Sequence, residues 1–75
     1  MILIEFLRKE VSSSNIASIG YDEDTEILEV EFKNSGAIYQ HYDVPIYVYK
    51  ELMDAISHGS YFYYNIRTDY DYQKQ

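Results

Sequence analysis

The chain has 75 residues, thirteen acidic against six basic side chains for a formal net charge of −7, no cysteine, and ten tyrosines. That length supports one small domain, which buries only about 60% of its unfolded surface and so needs an economical core. Disulfides and thiolate metal sites are excluded, and the acid excess argues against a general polyanion binder, which requires clustered Lys and Arg.

Apolar residues make up 47% and charged residues 25%, the balance of a globular protein rather than a disordered one. The first stretch, Met1 to Leu7, is apolar but does not read as a signal peptide. No basic region precedes it, Glu5 interrupts it, and Arg8-Lys9-Glu10 follow without a cleavage site. It is also far short of the roughly 20 residues of a membrane-spanning helix. With no export signal and no cysteine, a cytoplasmic location is expected. Residues 1–11 are read as an N-terminal extension. Ile2, Ile4 and Phe6 alternate, so the extension is expected either to add a strand to an open sheet edge or to form a short helix. An uncovered apolar segment of this kind favours a homodimer.

The polar break Ser12 to Asn15 opens the main unit, residues 12–70. Ile16 to Tyr21 reads as a strand with Ala17, Ile19 and Tyr21 on one face, and Asp22 to Thr25 as a turn. Glu26 to Lys33 is the clearest strand, with Leu28, Val30 and Phe32 on a dry face and Glu29, Glu31 and Lys33 on a wet one. Asn34-Ser35-Gly36 is a turn, and Ala37 to Asp43 a third strand. The favoured register pairs Phe32 with Ala37, Val30 with Tyr39 and Leu28 with His41, which keeps Gln40 out of the core. Pro45 then starts a helix, which Asp43 complements at its positive end. Its apolar stripe is Val48, Leu52, Ala55, Tyr49, Met53 and Ile56, and Gly59 is expected to cap it. Ser60 to Arg67 reads as a short second helix in which Phe62 and Ile66 dock together. Thr68 to Gln75 is expected to fray, with residues 71–75 as a tail. The fold class is α+β: a three-stranded antiparallel meander packed by one main helix, to which the short second helix and an extra N-terminal strand can be added.

Several separated stretches resemble one family. They are Ser13-Ser14-Asn15-Ile16 with Ile19-Gly20-Tyr21-Asp22; Leu28 to Phe32; Gly36, Tyr39 and Tyr42-Asp43-Val44-Pro45; and Ser57, Gly59, Phe62 and Ile66-Arg67. In that order, from about Ser12 to Tyr70, they resemble the KTSC domain, named for its place at the C-terminus of some lysyl-tRNA synthetases and found also as small bacterial proteins. The family's central Tyr-x-Tyr stands here as Tyr39-Gln40-His41, and Tyr63 occupies a position often held by Asn. The resemblance implies no established biochemical activity, and RNA binding has been suggested for the family.

Nine of the ten tyrosines lie at or after Tyr39. Tyrosine supplies rigid contact area at low entropic cost and is enriched at interfaces. The expected function is therefore a non-enzymatic binding module that recognises a protein through Tyr39, His41, Tyr42, Tyr47, Tyr63 and Arg67. RNA binding is the alternative, weakened by scattered bases and by Glu29 and Glu31 on the second strand. Arg67 is expected to pair with Asp43 or a neighbouring carboxylate. The acidic turn Asp22 to Glu26 lacks the ligand spacing of a calcium loop. His41 and His58 have no ligand partner at helical spacing, so no metal or cofactor is expected. Ser12 to Ser14, His41 and Asp43 offer the residue types of a hydrolytic triad without a nucleophile turn or oxyanion loop.

Overall fold

The computed structural model describes residues 7–75 of the chain. Its elements are β1 (Lys9–Glu10), β2 (Ile16–Asp22), β3 (Ile27–Phe32), β4 (Ile38–His41), α1 (Ile46–Asp54), α2 (His58–Asn65) and β5 (Tyr72–Lys74). The strands form one antiparallel sheet in the order β1-β2-β3-β4-β5, with both helices in the connection from β4 to β5. The class is α+β as expected: β2-β3-β4 form the three-stranded meander, and a second helix and an extra N-terminal strand are present, but the sheet has five strands because Tyr72–Lys74 adds one at the β4 edge. The extra N-terminal strand is Lys9–Glu10; the alternation at Ile2, Ile4 and Phe6 lies outside the described residues.

β3 follows its alternation, with Leu28 and Val30 fully buried beneath the helices. The β3–β4 register is the expected one, Leu28 opposite His41 and Val30 opposite Tyr39. Its loop closes with Gly36 at φ 68°, where Gly36 N–H donates to the Phe32 carbonyl. Glycine takes that left-handed conformation without steric cost.

β2 departs from strict alternation. A bulge between Ile16 and Ser18 brings Ile16 and Ile19 both into the core, and Ala17 is only half-buried. The extra residue at a bulge resets which side chains face inward. Tyr21 stacks on Tyr49 of α1 with ring centroids 4.9 Å apart, and its hydroxyl donates to the Val44 carbonyl.

α1 is shorter than its stripe. Pro45 sits at its N-cap, and Asp43, exposed at φ 58°, supplies no side-chain cap. Val48 and Leu52 are buried, each stabilising the fold by about 1.5–3 kcal/mol. The helix stops at Asp54 because the next residues serve α2 instead. Ala55 turns extended, Ser57 accepts a hydrogen bond from Ser60 N–H as the α2 N-cap, and His58 Nδ1–H donates to the Leu52 carbonyl at 2.8 Å. Ile56 is consequently fully exposed rather than part of the stripe. Gly59 does not cap α1; it lies inside α2, where an added Cβ would sit 2.4 Å from Asn15 Oδ1. Phe62 and Ile66, four residues apart, do enter the core.

The C-terminal residues do not fray. Tyr72–Lys74 pair with β4, Tyr72 opposite His41 and Lys74 opposite Tyr39. Tyr42 N–H donates to the Asp71 carbonyl and Gln75 N–H to the Ile38 carbonyl, at 2.9 and 2.8 Å. A polar segment joins a sheet through its backbone, which side-chain polarity does not advertise. Among the described residues, no helix is long and apolar enough to cross a membrane.

Candidate functional site

The two faces of the sheet carry different chemistry. On the helix-free face, polar side chains from β2 to β5 and from Arg8, just before β1, are connected. Arg8 pairs with Glu29 and donates to Ser18 Oγ at 3.0 Å, and Ser18 donates to Glu31 at 2.8 Å. Gln40 donates to the other Glu29 oxygen at 2.9 Å, and Tyr42 OH donates to Gln73 at 3.2 Å. Gly20 makes room for this, since a Cβ there would stand 3.0 Å from Arg8 Cγ. Glu29 is therefore not on a wet face but buried under Arg8 and Gln40.

On the helix face, five aromatic side chains close a ring where α2 meets β3, β4 and β5. Phe62 meets Phe32 (5.4 Å between centroids), Phe32 meets Tyr39 (5.8 Å), and Tyr39 meets Tyr72 (5.8 Å). Tyr72 meets His41 (5.5 Å), and His41 returns to Phe62 (5.2 Å). Most of these contacts are edge-to-face, the arrangement favoured by ring quadrupoles and worth about 0.5–1.5 kcal/mol each beyond area burial.

Four of these rings, all but His41, line a concavity of about 280 Å³ walled by Asn15, Gly59, Tyr63 and Arg67. A second concavity shares Asn15, Gly59 and Tyr63 with it and runs on past Ser60 and Tyr64. A third shares Arg67 and Tyr72 and runs on past Tyr70 and Asp71. The three adjoin through these shared residues, from Ser60 and Tyr64 on α2 past Arg67 to Asp71, and together are called the trough; each is open to solvent. Tyr63, Tyr64 and Tyr72 are each more than half exposed along it.

Among the described residues, Arg67 is the one cation lining the trough. It does not pair with Asp43 or any other carboxylate among the described residues; its guanidinium carbon lies 4.8 Å over the Tyr63 ring, one helical turn earlier. The expected carboxylate pair is thus absent among the described residues, and an aromatic ring takes the carboxylate's place.

The six residues expected at the site divide. Tyr39, Tyr63 and Arg67 meet in the trough. His41 lies beneath its floor, 2% exposed, with Nδ1 lacking a hydrogen-bond partner, so it is not available at a surface. Burial lowers its pKa to about 4. Tyr42 belongs to the opposite face, in the polar network. Tyr47 is exposed on α1 and neighbours Tyr61 and Tyr70 instead. There, burial and a hydrogen bond to Glu51 raise the Tyr61 hydroxyl to about 12. No tyrosine is fully buried. The sequence reading missed Asn15, Phe32 and Tyr72 as trough residues. Only the position of Phe32 on the alternating face of β3 gave a signal.

A model of the KTSC domain matches residues 12–70. An uncharacterized protein of Stutzerimonas stutzeri (strain A1501) is 46% identical over 55 residues, which cover 73% of this chain and 76% of that protein. A lysine–tRNA ligase of Nostoc sp. is 35% identical over 72 residues, 96% of this chain but 13% of the ligase. The crystal structure of a KTSC domain protein from Yersinia pestis superposes with a TM-score of 0.90 at 38% identity, over 95% of this chain and 99% of that one.

Proposed function

The chain belongs to the KTSC domain family, and from that premise we propose that it is a non-enzymatic binding module that receives an extended segment of a partner protein in the aromatic trough. The observation that carries this reading is the row of three adjoining open concavities, the central one over an aromatic floor of Phe32, Tyr39 and Phe62. An open, elongated depression suits a chain segment better than a small substrate, which needs enclosure. Exposed tyrosines supply contact area without ordering long side chains. A cytoplasmic setting accompanies the proposal, in keeping with a cysteine-free chain.

RNA is the second reading, and the observation in its favour is the match within lysine–tRNA ligases. Against it stand the −7 charge, a single cation in the trough, and Asp71 on its rim. A nucleic-acid backbone is held by several cations, and bases stacked without them bind weakly.

Affinity capture with the wild type and a Tyr63→Ala/Tyr72→Ala variant separates the two. Captured protein that survives a rise from about 0.1 to about 0.5 M salt and is lost with the variant supports protein recognition. Recovery of RNA alone, released by that salt step, overturns it.

A further inference from the structure

Arg67 gives the trough a chemical preference. Its guanidinium carries five N–H donors in a planar fork, and the contact with Tyr63 engages the charge without using any of them. No side chain among the described residues accepts a hydrogen bond from this guanidinium. The other arginine shows the contrast, since Arg8 is committed to both Glu29 and Ser18. The Tyr63 ring, on the preceding turn of α2, holds Arg67 at the junction of two concavities, with the Phe32–Tyr39–Phe62 floor on one side.

We propose that the trough reads a carboxylate: the partner segment carries an acidic group beside an aromatic or aliphatic side chain, the carboxylate bound by Arg67 and its neighbour seated on the Phe32–Tyr39–Phe62 floor. This rests on the trough reading above. Charge complementarity selects the occupant. An exposed arginine with free donors accepts a carboxylate in the bidentate geometry that its fork matches. Asp71 lines the concavity on the far side of Arg67 and repels a second negative charge. A single acid is therefore favoured, and a run of acids or a phosphate chain is not. The acid is either an Asp or Glu side chain or a C-terminal carboxylate; the shared chemistry is one carboxylate next to one apolar group.

The test uses random peptides displayed in two formats, one with a free C-terminus and one with both ends blocked by fusion, panned on the full chain and on Arg67→Gln. On the wild type, enriched peptides should pair one acid with an adjacent aromatic or aliphatic residue. Enrichment in both formats assigns a side-chain acid; enrichment only with the free end assigns a C-terminal carboxylate. Converting that acid to its amide should weaken binding about tenfold on the wild type, the scale of one charge-assisted hydrogen bond, and less than about twofold on Arg67→Gln. Arg67→Lys should restore part of the preference, since it returns the charge without the fork. Apolar peptides enriched without an acid overturn the carboxylate inference and leave the trough reading standing. No enriched peptide, or a mass that doubles with concentration in light scattering and reverts with Tyr63→Ala, overturns both.

Discussion

One sheet presents two faces that solve the same problem in opposite ways. The helix-free face is polar and internally satisfied: Arg8, Ser18, Glu29, Glu31, Gln40, Tyr42 and Gln73 form a hydrogen-bonded network across the sheet. The face where α2 meets the sheet is aromatic and leaves its polar groups unspent, with Arg67 unpaired and His41 Nδ1 without a partner. Residues that have already found partners contribute to stability. An exposed residue that has not, such as Arg67, keeps its donors for a ligand, whereas the buried His41 does not reach one. The difference separates residues satisfied within the fold from those that are not, where composition alone shows only an acidic, tyrosine-rich chain.

Four measurements bear on that contrast, and the largest effect comes from His41. Its folded pKa, about 4, lies below its ordinary value of 6.5, so the unfolded chain takes up the proton first as pH falls. Stability from this group is complete above about pH 6.5 and is lost between there and about pH 4, up to about 3 kcal/mol in all. Denaturant titrations across that range should show a steeper pH slope in the wild type than in His41→Phe, which keeps the aromatic ring and removes the titration. Parallel slopes would mean that the buried imidazole is not what loosens the floor.

Next is Glu29→Gln, which removes the charge that Arg8 and Gln40 share. Because Arg8 is 27% exposed, water recovers part of the loss, and a destabilisation of about 1–2 kcal/mol is expected in chemical denaturation. Binding to a trough ligand should not change. A stable Glu29→Gln protein with altered binding would erase the distinction between the faces.

Tyr72→Ala belongs to both categories. It opens the aromatic ring and strips the cover from His41, yet the residue is 57% exposed. A loss of about 1 kcal/mol together with weakened binding is expected. The smallest stability effect is that of Tyr63→Ala, within about 0.5 kcal/mol, because its ring meets the exposed Tyr64 and Arg67 rather than the rings over the core. Capture of the partner should nevertheless fail. A large drop in melting temperature for Tyr63→Ala would make this tyrosine part of the scaffold instead.

Much of the scaffold is readable from pattern. The alternation of β3, the pairing of Val30 with Tyr39 and the Phe62–Ile66 spacing all come from local periodicity, and the fold keeps them. The misreadings have physical causes. The helix stripe continued through Ile56 because periodicity does not register a competing N-cap, here Ser57. Gly59 looked like a cap because glycine signals either positive φ or close approach, and the close neighbour is Asn15, 44 positions away in sequence. The pairing assigned to Arg67 assumed that a cation seeks a carboxylate, where a tyrosine four residues earlier was nearer.

By itself, then, the sequence determines the elements whose side chains repeat with the period of a strand or helix, because burial on one face imposes that repeat. It also determines the charge that makes polyanion binding unfavourable. The tertiary structure alone decides which tyrosines face solvent, that Glu29 is buried and that Arg67 is free. It also decides that Tyr72-Gln73-Lys74 closes the sheet. β5 is held by backbone hydrogen bonds and by Tyr72 lying against His41, and neither leaves a periodic mark on three mostly polar residues. The trough exists only once that strand has returned beside β4.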